Sequence, residues 1–318
     1  MSRFGDYLSE HFETLFRWFT ILCAATVLII MAAMFVNLAW NARLAIGEFG
    51  IGFLWSEEWD PALNQYGAFS SIYGTLVSTA IAMVIAVPMS VVIALFLVEL
   101  AHPTVSKVVG GAIELLAAIP SIIYGMWGLF VFAPFMAETV QPFLQETLGL
   151  EKAPLIGRFF SGAPMGIGML TAGIILALMV LPFITAVMRD VFAMVPPVVK
   201  ESAYGMGSTT WEVTHKVTLR YGIQGVIGAC FLGLGRALGE TMAVTFVIGN
   251  AHHISASLFD AGNSIASTLA NEFAEASEPI YLHSLIYLGL VLLVMTFLIQ
   301  FAAQWWVRRL KKSMGAGL

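Results

Sequence analysis

Phe69-Ser-Ser-Ile-Tyr-Gly-Thr-Leu-Val-Ser-Thr-Ala-Ile-Ala-Met-Val-Ile-Ala-Val-Pro-Met-Ser-Val-Val-Ile-Ala-Leu-Phe-Leu-Val98 runs its whole length without a charged residue. A helix needs about 20 apolar residues to cross roughly 30 Å of hydrocarbon. This stretch exceeds that, so it must tilt or extend past the bilayer. Five further stretches read the same way: Phe19–Trp40, Val108–Met136, Met165–Met188, Tyr221–Asn250 and Ile280–Val307. The charges inside them are Glu114, Arg236 and Glu240. Composition agrees, with 59% hydrophobic and 11% charged residues against about 45–50% and about 25% in soluble domains. That balance excludes a soluble globular domain and a disordered chain. The net charge of −5 excludes nucleic acid as a partner, since phosphate backbones demand a basic surface. The fold class is all-α, a polytopic membrane protein with six transmembrane helices in surrounding lipid. Cys23 and Cys230 lie in apolar runs and read as small hydrophobes.

Lysine and arginine set the orientation, because cytoplasmic segments carry them in excess. With the N-terminus inside, 11 of the 15 basic residues fall on inner segments. Arg43, Lys152 and Arg158 fall outside, and Arg236 lies within a span. Both termini are then cytoplasmic. The outer loops, 41–68, 137–164 and 251–279, hold 11 of the 20 acids. Residues 1–17 place Phe4, Tyr7, Leu8, His11, Phe12 and Leu15 at helical spacing opposite Asp6, Glu10 and Glu13. This predicts an interfacial amphipathic helix. Residues 18–307 form one membrane domain and residues 308–318 a basic cytoplasmic tail. Pro88, Pro120 and Pro182 fall inside spans two, three and four, where a proline removes a backbone donor and bends a helix. Such a bend can serve packing or gating.

The chemistry that is missing narrows the function. No lysine follows a glycine, so the chain has no phosphate-cradling Gly-Lys-Ser/Thr loop and is not expected to hydrolyse ATP. The run Gly233-Leu-Gly235-Arg-Ala-Leu-Gly239 is one residue off the dinucleotide spacing and lies mid-membrane. His252-His253 has no neighbouring ligand set for a metal. No G-x-S-x-G or H-E-x-x-H motif occurs.

Arg236 and Glu240 remain. An ionisable side chain at the bilayer centre costs about 2.5–3.5 kcal/mol on the insertion scale, and the spacing of four places the two on one helix face. They can form an ion pair that staples helices, or they can line a pathway. A guanidinium presents a planar fork to carboxylate or phosphate oxygens, which points to an anion. Glu114, near the inner end of its span, is a weaker candidate.

The inner segment 196–220 reads as an elbow. Pro196-Pro197 ends the fourth span, a short helix carries Glu201 and Ala203, Gly207 breaks it, and Thr209-Thr-Trp-Glu212 has the form of a capping box that starts a helix running toward Leu219. This pattern, Glu201-Ser-Ala203, Gly207 six residues after the glutamate, then Val217-Thr-Leu219, resembles the EAA signature of ABC-importer permeases. Ser202, Val217 and Arg220 depart from it; Arg220 stands where proline is usual. Gly233-Leu-Gly-Arg-Ala-Leu-Gly-Glu-Thr241-Met-Ala-Val-Thr-Phe-Val-Ile-Gly-Asn250 is similar to the signature of the C-type permease of phosphate-specific transport, as is Ile119-Pro-Ser-Ile-Ile-Tyr-Gly125.

The resemblance implies a type I ABC-importer permease in the bacterial inner membrane, without a bound cofactor. It implies four kinds of partner: an A-type permease, two copies of a cytoplasmic ATPase that uses ATP, an extracytoplasmic phosphate-binding protein, and inorganic phosphate as cargo. It assigns Arg236, Glu240 and Thr241 to the pathway and Glu201, Ala203, Gly207 and Leu219 to ATPase coupling. Another oxyanion, the A-type permease, and a secondary anion transporter stay open as alternatives.

Overall fold

A computed structural model of the chain describes residues 2–154 and 156–315, with side chains described from residue 13 to residue 309 except residue 155. Among the described residues the regular structure is helical, with only two isolated bridges, Asp60–Gln65 and Gly249–Gly262. Six helical runs are long and apolar enough to cross a membrane: Glu13–Asn41, Phe69–Leu100, Ser121–Thr147, Met169–Ala193, Thr210–Leu238 and Pro279–Arg309. The first is continuous with an N-terminal helix that starts at Ser2. The amphipathic facing expected of Phe4, Tyr7, Leu8, His11 and Phe12 lies outside the described side chains.

Span four is the axis. Its Ile175, Leu176, Val180, Ile184 and Phe192 are fully buried between spans two and five. Between helices in lipid the driving force is close packing and hydrogen bonding, which small residues permit. Span two supplies Ala82, Ala86 and Ala94 to this contact, and Ser90 Oγ donates to the Leu181 carbonyl at 3.1 Å. Span five supplies glycines. A Cβ at Gly222 or Gly225 would meet Phe192 or Val191, and one at Gly233 would meet Ile184. The first span packs against the sixth and leaves Leu22, Leu28 and Val36 exposed, each by more than 60%.

Two span boundaries differ from the sequence expectation, one at a proline and one at a glycine. The third span was expected from Val108 to Met136. Instead Pro103–Ala117 is a separate helix, and the span starts at Ser121 after Pro120, whose backbone is extended (φ −57°, ψ 136°). Proline disfavours helical geometry in the residue before it, so the apolar run is cut there. Tyr124 Oη bridges the cut by donating to the Leu116 carbonyl at 2.9 Å. Beyond it the helix passes through wide turns at Gly128–Phe132, Met136–Val140 and Phe143–Thr147.

The fifth span was expected from Tyr221 to Asn250. Its helix ends at Leu238, and a short helix restarts at Met242–Thr245. At the other end it begins at Thr210, so the second arm of the elbow and the membrane span are one helix. Arg220 does not interrupt it.

The loops opposite the elbow interlock. Ser257 Oγ donates to the Ser161 carbonyl at 2.5 Å and Leu258 N to Phe159 O at 2.9 Å. Phe53 stacks on Tyr287 of span six with ring centres 4.4 Å apart. Gly74 of span two lies against the Asn263 carbonyl so closely that a Cβ would overlap it.

Candidate functional site

The break in span five holds the residues singled out from sequence. Gly239 and Glu240 follow the last helical turn, and Thr241 precedes the short helix Met242–Thr245. Gly125 of span three presses on this segment; a Cβ there would crowd the Phe246 ring and the Met242 carbonyl. Gly128 lies against Val247 and Ile175 in the same way. Two glycines one helical turn apart thus bring span three onto the break. A discontinuous helix in a membrane bundle exposes backbone polar groups only where protein or an aqueous cavity can satisfy them.

Arg236 and Glu240 do not pair. No ion pair joins them, because the helix that would have placed them on one face has ended at Leu238. Arg236 occupies the last helical turn, where the negative end of the helix dipole favours a cation. Its guanidinium lies over the Phe183 ring of span four, 5.6 Å from the ring centre, a cation–π contact. Among the described residues its Nε is buried and has no hydrogen-bond partner. Glu240 turns the other way and accepts from the Ala243 N–H at 3.3 Å, capping the short helix. Thr241 Oγ1 donates to the Gly239 carbonyl at 3.4 Å, and Thr245 Oγ1 to the Thr241 carbonyl at 2.7 Å. The pathway candidates are therefore adjacent, and the guanidinium keeps an unused donor.

Glu114 is not in the membrane span. It sits on Pro103–Ala117 and forms an ion pair with Arg189 at the elbow end of span four.

The elbow takes its expected shape. Pro197–Gly205 is helical, and Gly207 adopts φ +86°, a left-handed turn that favours glycine. The capping box forms: Glu212 N donates to Thr209 Oγ1 at 3.3 Å, and Thr209 N to Glu212 Oε2 at 3.1 Å. The four coupling candidates do not share a surface. Glu201 and Gly207 are exposed, Ala203 is buried beneath the turn, and Leu219 packs on the bundle core. Around the exposed pair Val198, Met206 and Trp211 are open by 69%, 82% and 74%, an apolar tip at the end of the bundle.

Two polar clusters went unread in the sequence. At the elbow, Glu99 accepts from Lys200 Nζ at 2.6 Å and Thr218 Oγ1 at 2.7 Å. At the opposite end, Glu272 accepts from Trp59 Nε1 at 2.6 Å and Tyr281 Oη at 2.7 Å, and pairs with His252 Nε2 at 2.9 Å. Trp59 stacks on His252 with 5.3 Å between ring centres. Burial alone would raise the Glu272 carboxyl; the hydrogen bonds from His252, Tyr281 and Trp59 outweigh it and hold it below the usual range. Nearby, burial and the fields of Glu278, Glu272 and Asp60 push the Tyr66 phenol up to about 12. Each link spans more than 100 residues of chain, apart from Glu272 with His252 and Tyr281, so no local pattern announces them. The nearest signal is a lone acid closing an uncharged run, which reads equally well as an interface marker.

Residues 86–315 match the family model of the binding-protein-dependent transport system inner membrane component. The chain is 51% identical to the phosphate transport system permease protein PstC of Pasteurella multocida, over 97% of this chain and 96% of that one. It is 48% identical to the protein of the same name from Haemophilus influenzae, over 95% of each. Among solved structures, a bacterial alginate ABC transporter chain superposes with a TM-score of 0.61 at 17% identity, covering 93% of this chain and 96% of that one. A chain of the inward-facing MetNI methionine ABC transporter superposes with a TM-score of 0.52 at 19% identity, covering 76% and 94%. These two likenesses concern the fold.

Proposed function

Because the chain belongs to the binding-protein-dependent transport system inner membrane component family, we propose that it is the permease subunit through which an ATP-driven importer moves inorganic phosphate. It is a multi-pass inner-membrane protein with six spans. Its termini lie in the cytoplasm, on the side favoured by the lysines and arginines. It performs no chemistry on its cargo.

One observation carries the reading. Arg236 is an intramembrane cation, beside a helix break, without an ion-pair partner among the described residues. Keeping a charge in a bundle is costly, and a structural role would have given it a carboxylate. An anion arriving at the break supplies the missing acceptor, and the planar fork suits tetrahedral oxyanions. Glu240 lies four residues on, across Gly239. Hydrogen phosphate carries a P–OH that a carboxylate can accept, while a second unprotonated oxyanion oxygen would be repelled. Thr241 adds a hydroxyl at the same place.

Family membership supports the remaining parts of this reading. A second permease of the A type completes the pathway against the exposed flank. Two ATPase subunits bind the elbows, with the apolar tip around Val198, Met206 and Trp211 as the docking face, set by the Gly207 turn and the small buried Ala203. A phosphate-binding protein delivers cargo to the interlocked loops. Glu201 reaches the ATPase from the exposed side of the elbow. Leu219 acts differently, holding the elbow's second arm to the core.

The test is uptake of labelled phosphate by vesicles holding the reconstituted complex. Arg236→Gln should abolish ATP-driven uptake while the complex still assembles and binds ATP. Normal uptake by that variant would overturn the pathway assignment. Wild-type uptake of sulfate in preference to phosphate would instead favour the alternative cargo.

A further inference from the structure

We propose that Glu99 is a strut that transmits elbow movement to span two. This rests on the reading of the elbow as the ATPase-coupled element. Glu99 lies in the last turn of the run Phe69–Leu100, within a wide five-residue turn, Phe96–Leu100. Such turns inside helices recur at functional positions. Its side chain is 5% exposed. One oxygen, Oε1, accepts from Lys200 Nζ at 2.6 Å and from Thr218 Oγ1 at 2.7 Å.

Those two donors lie on different arms of the elbow. Lys200 is on Pro197–Gly205, and Thr218 is on the second arm, which continues into span five. The elbow is therefore joined to span four through Pro196 and to span five by unbroken helix. Among the described residues, Glu99 makes the only hydrogen-bonded link between span two and the elbow. Removing one partner from a buried ion pair leaves the other charge uncompensated, so the two arms and the end of span two are held to one another.

Span two is well placed to relay a movement. It shares the most extensive interhelical contact of the bundle with span four. At its far end Ser71 Oγ accepts from Asn263 Nδ2 at 2.8 Å, and Asn263 also contacts His252 Nδ1 at 2.8 Å. A displacement imposed at the elbow can reach the loops that face the delivery side along one continuous helical run, Phe69–Leu100. Glu99 touches no cargo; it is a positioning residue.

The experiment compares ATP hydrolysed with labelled inorganic phosphate transported, using the full complex in vesicles. Glu99→Gln keeps an acceptor for Thr218 and removes the charge. It should raise the ATP consumed per phosphate at least tenfold in complexes that still assemble, with a lowered thermal midpoint because Lys200 loses its buried partner. Lys200→Met should act in the same direction, and the paired exchange Glu99→Lys with Lys200→Glu should restore part of the coupling. A ratio within twofold of wild type in Glu99→Gln overturns the proposal. So does a parallel fall in hydrolysis and transport that leaves the ratio unchanged, which is what a mere brace predicts. If Glu99→Gln does not assemble, the Lys200→Met ratio decides by the same limits. The wild-type complex separates this inference from the cargo reading: if it moves another oxyanion on ATP, the ratio is taken with that anion. If it moves none and hydrolyses no ATP, both readings fall.

Discussion

Buried charge is handled in opposite ways at the loop end and at the break in span five. Glu272 is surrounded by donors from three parts of the chain, Trp59, His252 and Tyr281, and both of its oxygens are engaged. Arg236 has a ring beneath it and, among the described residues, no carboxylate partner. Each site contains an acid and a base on one stretch of chain, 20 residues apart at the loop end and on either side of the break in span five, yet only the first closes on itself. The difference comes from backbone continuity. Glu272 ends a capped helix, Ile265–Glu272, and meets partners that are already fixed. Arg236 would have met Glu240 had the helix continued one more turn. The break at Gly239 turns Glu240 onto the Ala243 N–H instead. A satisfied cluster holds structure, and an unsatisfied one keeps affinity for something that comes and goes.

Exchanging the behaviours of the two sites is the strongest way to break this comparison. Arg236→Gln should lower phosphate uptake at least a hundredfold, since hydrogen bonds to charged groups contribute about 1.5–3 kcal/mol each and a guanidinium offers several. Thermal stability of the assembled complex should barely change. Arg236→Lys keeps the charge without the fork and should fall between. If Arg236→Gln instead unfolds the complex and Glu272→Gln abolishes uptake, the assignment of the two sites is inverted.

Next in size is a change to the packing that presents the break. Gly125→Leu puts a side chain where the Met242 carbonyl and the Phe246 ring already sit. Overpacking of this kind costs about 1–3 kcal/mol, and here it should also move the Arg236–Glu240 segment. Both a lower thermal midpoint and slower uptake are expected. Gly111→Leu, where a Cβ meets nothing within 4 Å, is the control and should change neither.

Different kinds of sequence information specify the spans, the elbow and the site. The six spans were legible, since long uncharged runs such as Phe69–Val98 permit little else. The elbow was legible too, because Pro196-Pro197, Gly207 and the Thr209–Glu212 box act over a few residues. The breaks at Pro120 and Gly239 were not placed. Each lies inside a run whose hydropathy is continuous, and apolar character does not report backbone direction. The lack of an Arg236–Glu240 pair followed from that, because spacing of four implies proximity only within an intact helix. Glu99 with Lys200, 101 residues apart, was beyond any local rule.

The loop-end cluster should show a smaller, pH-dependent effect. Glu272 is held below the usual carboxylate range in the folded chain, so it adds stability wherever it is ionised in both states. That contribution is complete above the unfolded value of about 4.3. It is lost as the pH falls through the lower folded value. Glu272→Gln should cost about 1–3 kcal/mol near neutral pH and flatten the loss of thermal midpoint below about pH 4.3. A wild-type midpoint that falls no more steeply than the variant's in that range would show that the network is not held together by charge.

The smallest effect belongs to the elbow. Thr209→Ala removes the hydroxyl that accepts the Glu212 N–H, and loss of an N-cap typically costs about 1 kcal/mol. The helix it starts is the span itself, Thr210–Leu238, anchored at Thr218 and Leu219 by Glu99 and the core. Fraying should therefore stop within two turns and leave the Arg236 region untouched. Amide exchange should rise at residues 210–214 while protection near Leu238 stays as in wild type. ATP hydrolysed per phosphate should rise slightly, because the frayed turn lies between the elbow tip and the Glu99 link. Increased exchange reaching Gly233 would mean that the elbow and the break are one cooperative unit, and the separation drawn between coupling and pathway would have to be given up.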